Sequence, residues 1–302
     1  MSSINNVAVV GASGTVGIPI TTALLSAGFQ VTAITSSTST STFPPSVTIA
    51  RVNYRTYTPN SNPFIAAFRN QDAVICAITT EATGAQQKRI IDAAVATRVP
   101  RFMPSEFGID LAGARGTKIG ALLGQKREII EFLGELAGKY TWFTWTALST
   151  GSFIDWSLKT NMFGINFQNK SARIYDSGNK LYSPSTLSFV GKAVAAVLRK
   201  PAETANKYLT VASCTTSQRE ILEIVEEEMG ERFQVIPVAT SDLEKIGDQK
   251  MARGDSSAFV EYLIRHVFGD GAGGAIEDNA AECLGLEEED LRTIVRRVLS
   301  EL

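Results

Sequence analysis

Short apolar runs alternate with helical repeats along the first half of the chain. Six runs that carry almost no charge predict β-strands, at residues 4–10, 30–35, 47–52, 72–78, 101–104 and 142–148. Between the first two, apolar residues recur with helical spacing at Val16, Ile20 and Leu24, and Gly28 follows where a helix C-cap is expected. Similar repeats predict helices at 64–69, 86–96 and 122–136. This alternation predicts a doubly wound parallel sheet, in which ligands bind at the carboxyl ends of the strands.

Three glycines follow the first predicted strand at a spacing of three: Gly11, Gly14 and Gly17. The first permits a tight turn, the second lets the main chain approach a pyrophosphate, and the third lets the helix pack close to the sheet. Because the helix N-terminus also offers free N–H groups, this arrangement predicts a dinucleotide site. Phosphate contacts are expected from three residues of the turn, Ser13, Thr15 and Val16. The alternative is a purely structural strand-turn-helix, since glycines also mark ordinary turns.

A run of serines and threonines, residues 35–42, follows the second predicted strand. In a dinucleotide fold this strand end meets the adenosine ribose, where an acidic residue would bind the 2′-hydroxyl of NAD. No acid stands here, whereas the hydroxyls of Ser36 and Ser37 could bind a 2′-phosphate. The sequence therefore favours NADPH over NADH, with Arg51 or Arg55 supplying positive charge from the next strand end. The alternative is a flexible loop.

The second half of the chain is less regular and richer in aromatic residues, which predicts a smaller lobe. We expect an NAD(P)-binding domain over residues 1–152 and a substrate-binding lobe over 153–302. Within that lobe, a helix and a strand at roughly 185–213 are expected to return to the main sheet. The predicted fold class is thus α/β, a Rossmann-type doubly wound parallel sheet with a smaller C-terminal α+β substrate lobe.

Composition narrows the possible partners and the compartment. The net charge of −2 predicts no bulk attraction to nucleic acid or to an anionic membrane, and no apolar run is long enough to cross a bilayer. The scattered cysteines Cys76, Cys214 and Cys283 fit a reducing compartment, so a cytoplasmic protein with packed cysteines is expected. The single histidine, His266, lies on an apparent amphipathic helix and is expected to be structural, and no metal site is predicted.

The tyrosine-lysine pair of ordinary short-chain dehydrogenases is absent from the sequence. That chemistry needs Tyr-x-x-x-Lys, but no tyrosine is followed by lysine at this spacing. Tyr262 comes nearest, and the residue four positions later is His266. Another residue must therefore act as the acid or base if this chain is an oxidoreductase.

Three features together resemble the NmrA-like and isoflavone-reductase-like family of atypical short-chain dehydrogenases. They are the glycine turn, the stretch Arg-Phe-Met-Pro-Ser-Glu-Phe-Gly at residues 101–108, and Lys126 near the start of a helix. The resemblance spans most of the chain and is densest over residues 1–160, and the stretch at 153–156 is more similar to fungal members. One departure is the hydroxyl residue after the second strand, where plant members tend to keep a basic one.

The resemblance implies that Lys126 is a general acid/base beside the nicotinamide while hydride moves from NADPH to an electrophilic carbon. A lysine desolvated in a closed cleft has a lowered pKa, which suits proton exchange. Two alternatives stay open. Lys126 and Arg127 could simply complement Glu128 and Glu131 on a solvated helix face, and Lys118 is a rival lysine in the same region.

Further site residues are expected at the strand ends. Thr79, Gly151 and Phe153 are assigned to the cofactor site, and Phe107, Phe153 and Trp156 to an aromatic substrate site or, alternatively, to the core. The first hypothesis is an NADPH-dependent reductase of an aromatic or polyketide-like metabolite. The second is a non-catalytic NAD(P) sensor that binds a partner protein. A homodimer is compatible with either.

Overall fold

The structure is a computed structural model in which residues 3–54 and 62–302 are described. Parallel strands form its main sheet. The strands of the described residues are, in chain order, β1 (Asn6–Val10), β2 (Gln30–Ser36), β3 (Thr48–Val52), β4 (Ala73–Cys76), β5 (Arg101–Met103), β6 (Thr144–Ser149), β7 (Ile165–Asn166), β8 (Ser171–Tyr175), β9 (Lys207–Thr210) and β10 (Gln234–Val238).

Helices connect these strands. Those of the described residues are α1 (Gly17–Ser26), α2 (Ile65–Phe68), α3 (Ala85–Ala96), α4 (Lys118–Leu122), α5 (Gly124–Lys139), α6 (Ile154–Lys159), α7 (Leu187–Arg199), α8 (Gln218–Met229), α9 (Thr240–Ala252), α10 (Ala258–Phe268), α11 (Ala281–Leu284) and α12 (Leu291–Ser300). A 3-10 turn at Thr80–Ala82 follows β4. Among the described residues, no helix has the length and apolar character that crossing a membrane requires.

The main sheet has the order β3-β2-β1-β4-β5-β6-β9, and every neighbouring pair is parallel. The strand order reverses between β1 and β4, which creates the crevice where ligands bind in such sheets. This confirms the predicted Rossmann-type fold class. The helix and strand expected at 185–213 are α7 and β9, and β9 pairs with β6 at the edge of the sheet. The division between residues 152 and 153 stays a prediction.

Helices cover both faces of the main sheet, as the uninterrupted apolar sequences of its strands predict. Residues of β1 alternate between two apolar clusters, with Val7 and Val9 facing α1 and α7, and Ala8 and Val10 facing α3 and α5. All four side chains are fully buried. Because strand residues point alternately to opposite faces, an uninterrupted apolar strand is the pattern that a doubly covered sheet produces.

A second sheet, of order β10-β8-β7, belongs to the C-terminal half. It packs with α6, α8, α10 and α12 around a separate apolar cluster. Phe268 lies at its centre and contacts the rings of Phe163, Tyr175 and Tyr182, with centroid distances of 4.8, 5.6 and 4.9 Å. The excess of aromatic residues beyond residue 150 therefore builds this smaller core.

The structure differs from the sequence-based expectation in two places. The helix expected over 122–136 is α5, and an additional short helix, α4, precedes it, with Leu123 between the two. α4 begins earlier because the hydroxyl of Thr117 accepts the N–H of Gly120 and caps it. Cys283 is exposed rather than packed, since α11 buries Ala281 and Leu284 instead.

Replacing Gly17 by alanine tests the close packing of α1 on the glycine turn. A Cβ at Gly17 would lie 2.1 Å from the carbonyl oxygen of Gly11, which is backbone and cannot move aside. We expect the free energy of unfolding to fall by about 1–3 kcal/mol. Gly134→Ala on exposed α5 is the control, because nothing lies within 4 Å of its Cβ, and it is expected to gain about 0.5–1 kcal/mol. Equal stability of both variants in urea unfolding would contradict the packing argument.

Candidate functional site

The glycine turn after β1 is packed directly against the end of β4. Gly11 has a φ of +80°, and a Cβ added to it would lie 2.3 Å from the carbonyl oxygen of Ala77. A Cβ on Gly14 would meet nothing closer than the Gly11 oxygen, at 3.3 Å, and Gly14 is exposed. Gly11 and Gly17 therefore close the inner side of the turn, whereas Gly14 leaves its outer side open.

The N-terminus of α1 adjoins this turn without a side-chain cap. Val16 occupies the N-cap position, and its side chain makes no hydrogen bond there. The backbone N–H groups of Ser13, Thr15 and Val16 have no acceptor among residues 3–54 and 62–302. Unpaired N–H groups at a helix N-terminus attract an anion, and the helix dipole adds to the attraction. The turn thus has the donors that a pyrophosphate needs.

The hydroxyl-rich loop after β2 is held by Arg51 of β3. Its guanidinium donates to the carbonyl oxygen of Ser39 at 2.5 Å, while the side chain stays exposed. Ser36 is half-buried and Ser37 is exposed at the same strand end. The structure therefore places positive charge and hydroxyl groups together here, as expected from the sequence. Arg55, the other candidate, lies outside the described residues.

Hydrogen bonds fix the loop after β5 to three neighbouring segments. The hydroxyl of Ser105 donates to the carbonyl oxygen of Ile78 at 2.7 Å, and its N–H donates to the side-chain oxygen of Gln87 at 2.7 Å. The carbonyl oxygen of Gly108 accepts the Ser149 hydroxyl at 2.8 Å and the next two backbone N–H groups at 3.0 Å. The Ser-Glu-Phe-Gly stretch is thus held rigidly at the carboxyl ends of β4, β5 and β6.

A cavity of ≈ 300 Å³ opens beside this loop, between α5 and the second lobe. Residues from separate parts of the sequence line it, among them Phe107, Lys126, Gly151, Phe153 and Trp156. The structure therefore brings together five residues that the sequence assigns to the cofactor and substrate sites. We call this space the reaction cavity.

Lys126, in the first turn of α5, is the one charged residue among the described residues that line the reaction cavity. It is 7% exposed, and its Nζ donates to the carbonyl oxygen of Glu106 at 2.9 Å. Burial lowers the pKa of Lys126, and the nearby Glu106 carboxyl opposes this change. Because an ammonium group has three N–H donors, the bond to Glu106 leaves others for a molecule in the cavity.

Lys118 and Thr79, two other residues that the sequence singles out, do not line the reaction cavity. Lys118 is on the surface, where its Nζ contacts Asp248 at 2.7 Å and Glu244 at 3.0 Å. These ion pairs raise the pKa of Lys118 to about 12, so it stays protonated. Thr79 is exposed at the end of β4, and the next residue, Thr80, lines the reaction cavity in its place.

A second cavity, of ≈ 580 Å³, lies next to the first and shares Ile109, Gly151 and Ser152 with its wall. We call it the side cavity. Its lining includes Tyr208 and His266, and the exposed residue Glu277 shows that it reaches the surface.

His266 was expected to be structural from its helix face. It is 5% exposed, as that expectation requires, and it also borders the side cavity. Burial lowers its pKa, and Asp110 opposes the change. A buried imidazole of this kind stays largely neutral near pH 7.

Sequence reasoning missed two polar residues, Glu106 beside the reaction cavity and Tyr208 on the wall of the side cavity. Glu106 belongs to the stretch that carries the family resemblance, and an acid among apolar residues at a strand end was a usable signal. Tyr208 lies on β9, far along the chain from Lys126, and only the parallel pairing of β6 with β9 brings it near. The sequence held no local signal for this contact.

The fold and the site are those of a dinucleotide-binding α/β protein with a buried lysine in its reaction cavity. The chain belongs to the NmrA-like family, which matches residues 3–262. It is 32% identical over 294 residues to the oxidoreductase poxI of Penicillium oxalicum, covering 95% of this chain and 92% of that protein.

Solved plant reductases share the fold at low sequence identity. The leucoanthocyanidin reductase of Vitis vinifera in complex with NADPH has a TM-score of 0.78 and 16% identity, covering 98% of this chain and 100% of that chain. An isoflavone reductase has a TM-score of 0.74 and 20% identity, covering 98% of this chain and 99% of that chain. The predicted resemblance to the NmrA-like and isoflavone-reductase-like family is confirmed.

Proposed function

We propose that this protein is an NADPH-dependent reductase that transfers hydride to an aromatic or polyketide-like secondary metabolite, with Lys126 as general acid/base. The reacting group is a carbonyl, an enone or a benzylic carbon. One observation carries the proposal. Lys126 is buried in a cavity at the carboxyl edge of the sheet, and no other described residue that lines this cavity is charged. A fungal relative named as an oxidoreductase, and a plant reductase of this fold solved with NADPH, support it.

The residues at the carboxyl edge of the main sheet fit NADPH. The open N–H groups of the glycine turn suit its pyrophosphate, and Arg51, with Ser36 and Ser37, suits its 2′-phosphate. When bound, NADPH supplies the hydride. Gly151 and Phe153 lie at the end of β6, on the wall of the reaction cavity, and would hold the nicotinamide end.

Lys126 supplies the proton that must accompany the hydride. Its ammonium group is held by the carbonyl oxygen of Glu106, and burial lowers its pKa. A lysine of lowered pKa gives up its proton more readily than an exposed one, so Lys126 can protonate the atom that gains negative charge. Apolar walls keep water from competing for that proton.

The shape and composition of the reaction cavity favour an aromatic substrate. Phe107, Phe153 and Trp156 line it, together with Phe163 and Phe259. Aromatic side chains pack against planar rings in offset or edge-to-face arrangements, which an aliphatic ligand does not match. A small ring system therefore suits the ≈ 300 Å³ cavity.

A non-catalytic NAD(P) sensor that binds a partner protein is the second candidate, and the match to the NmrA-like family favours it. One experiment separates the two. Titration with NADPH and with NADH, followed by fluorescence, is combined with a panel of aromatic ketones, enones and benzylic ethers. Oxidation of bound NADPH by any class supports the reductase. Tight binding without oxidation across the panel supports the sensor.

Replacing Lys126 by methionine is expected to lower kcat by about a hundredfold or more, because the general acid is lost. The affinity for NADPH should change little. Lys118→Met is the matched control, since that lysine is ion-paired on the surface, and it should keep full activity. Steady-state kinetics and fluorescence titration provide the measurements, and an unchanged kcat in the Lys126 variant would remove this residue from the mechanism.

The reduction rate of the wild-type protein is expected to depend on pH through the same lysine. Only protonated Lys126 can act as the acid, so kcat/KM should be constant at low pH and fall as the pH rises through its pKa. Since burial lowers this pKa, the fall should begin below the range of an ordinary lysine. A profile that stays flat up to the ordinary lysine range would contradict this assignment.

Arg51→Gln tests the 2′-phosphate site. Loss of one charge-assisted hydrogen bond should weaken NADPH binding about tenfold, whereas the Kd for NADH, which lacks the 2′-phosphate, should stay the same. The comparison of both cofactors is essential because Arg51 also holds the carbonyl oxygen of Ser39. An equal loss for the two cofactors would mean that Arg51 only orders the loop.

A further inference from the structure

The side chain of Glu106 is buried beside the reaction cavity. Glu106 is 1% exposed, and neither of its carboxylate oxygens has a hydrogen-bond partner among the described residues. Buried carboxylates without partners are strongly disfavoured in the charged form. Such a group must be compensated by a nearby positive charge or must hold a proton.

Three titratable groups from different segments face Glu106. Lys126 of α5 and the hydroxyl of Tyr208 on β9 lower the pKa of its carboxyl, whereas Asp110 raises it. Burial is the largest influence and raises this pKa. For Lys126 the directions are reversed, because burial lowers its pKa and Glu106 raises it. Each group thus favours the charged form of the other, against the effect of burial.

Lys126 and Tyr208, which both influence Glu106, line different cavities. Lys126 lines the reaction cavity. Tyr208 lines the side cavity, which reaches the surface at Glu277. The Tyr208 oxygen accepts the N–H of Leu111 at 3.2 Å, so its own proton remains available to another acceptor.

We propose that Glu106 is a positioning residue whose carboxylate holds Lys126 in the protonated form that donates to the substrate. The proposal rests on the proposed role of Lys126. In the reaction, the Lys126 ammonium gives one proton to the reduced substrate and becomes an amine. That amine takes a proton from water before the next turnover, and the negative charge of Glu106 favours the ammonium form.

The first test measures the protonation of Lys126 without turnover. Trace acetylation with acetic anhydride over a pH series, followed by mass spectrometry, gives the labelling midpoint of each lysine. Glu106→Gln removes the charge that faces Lys126, so its midpoint should move about one pH unit lower. Glu128→Gln, which removes the same charge from an exposed position of α5, should leave it unchanged. Glu106→Asp keeps the charge and should restore most of the wild-type midpoint.

The second test uses the pH profile of kcat/KM with the same variants. The alkaline fall should move to lower pH in Glu106→Gln and remain in place in Glu128→Gln. An unmoved labelling midpoint, or a moved midpoint with an unmoved kinetic profile, would overturn the proposal. A midpoint shift in Glu106→Gln, together with a wild-type protein that reduces no substrate, would instead refute the reductase and leave the pairing intact.

A further variant covers the case in which Glu106→Gln does not fold. Tyr208→Phe keeps the carboxyl but removes the hydroxyl that favours its charged form. The Lys126 midpoint should again move to lower pH, because Glu106 carries less negative charge. If the midpoint of a folded Tyr208→Phe protein equals that of the wild type, the proposal fails.

Discussion

The contact between the first glycine turn and the end of β4 is the constraint on which the rest of the site depends. A side chain at Gly11 would overlap the carbonyl oxygen of Ala77, so the two strand ends approach as closely as backbone allows. This contact lies where the strand order reverses. The adjoining turn keeps backbone N–H groups without acceptors among the described residues. Such groups at a helix N-terminus favour an anion through the backbone alone, and the turn has no positively charged side chain.

The loop after β5, which forms the other half of the site, is likewise held in place by the ends of neighbouring strands. Ser105 and Gly108 join this loop to the ends of β4 and β6 by hydrogen bonds. Those bonds leave little freedom for Glu106 and Phe107 between them. As a result Lys126, which arrives from α5, meets a fixed carbonyl oxygen and a fixed carboxyl group. The position of its ammonium group is therefore set by an anchored loop, whereas its burial also depends on residues of the second lobe.

The main sheet and the glycine turn were predictable from the sequence because periodicity and glycine spacing act locally. The alternation of apolar runs and the three glycines were enough to predict β1, α1 and β2. The cavity was only partly predictable. Lys126 followed from the family resemblance, yet its burial depends on residues up to Leu263 of α10. Glu106 had a local signal that was overlooked. Tyr208 escaped prediction because strand pairing brings it near Glu106 across about a hundred residues, which leaves no local pattern.

The position of β9 also has a consequence for how the chain reaches its native state. β6 is an inner strand only because β9 pairs with it, and Thr146 and its partner Lys207 are separated in the chain by α6, β7, β8 and α7. Until β9 is in place, β6 presents an open edge that can pair with other chains. Parallel pairing over such a distance is also slow. A partly synthesised chain thus passes through an aggregation-prone stage that lasts until the sheet receives its last strand.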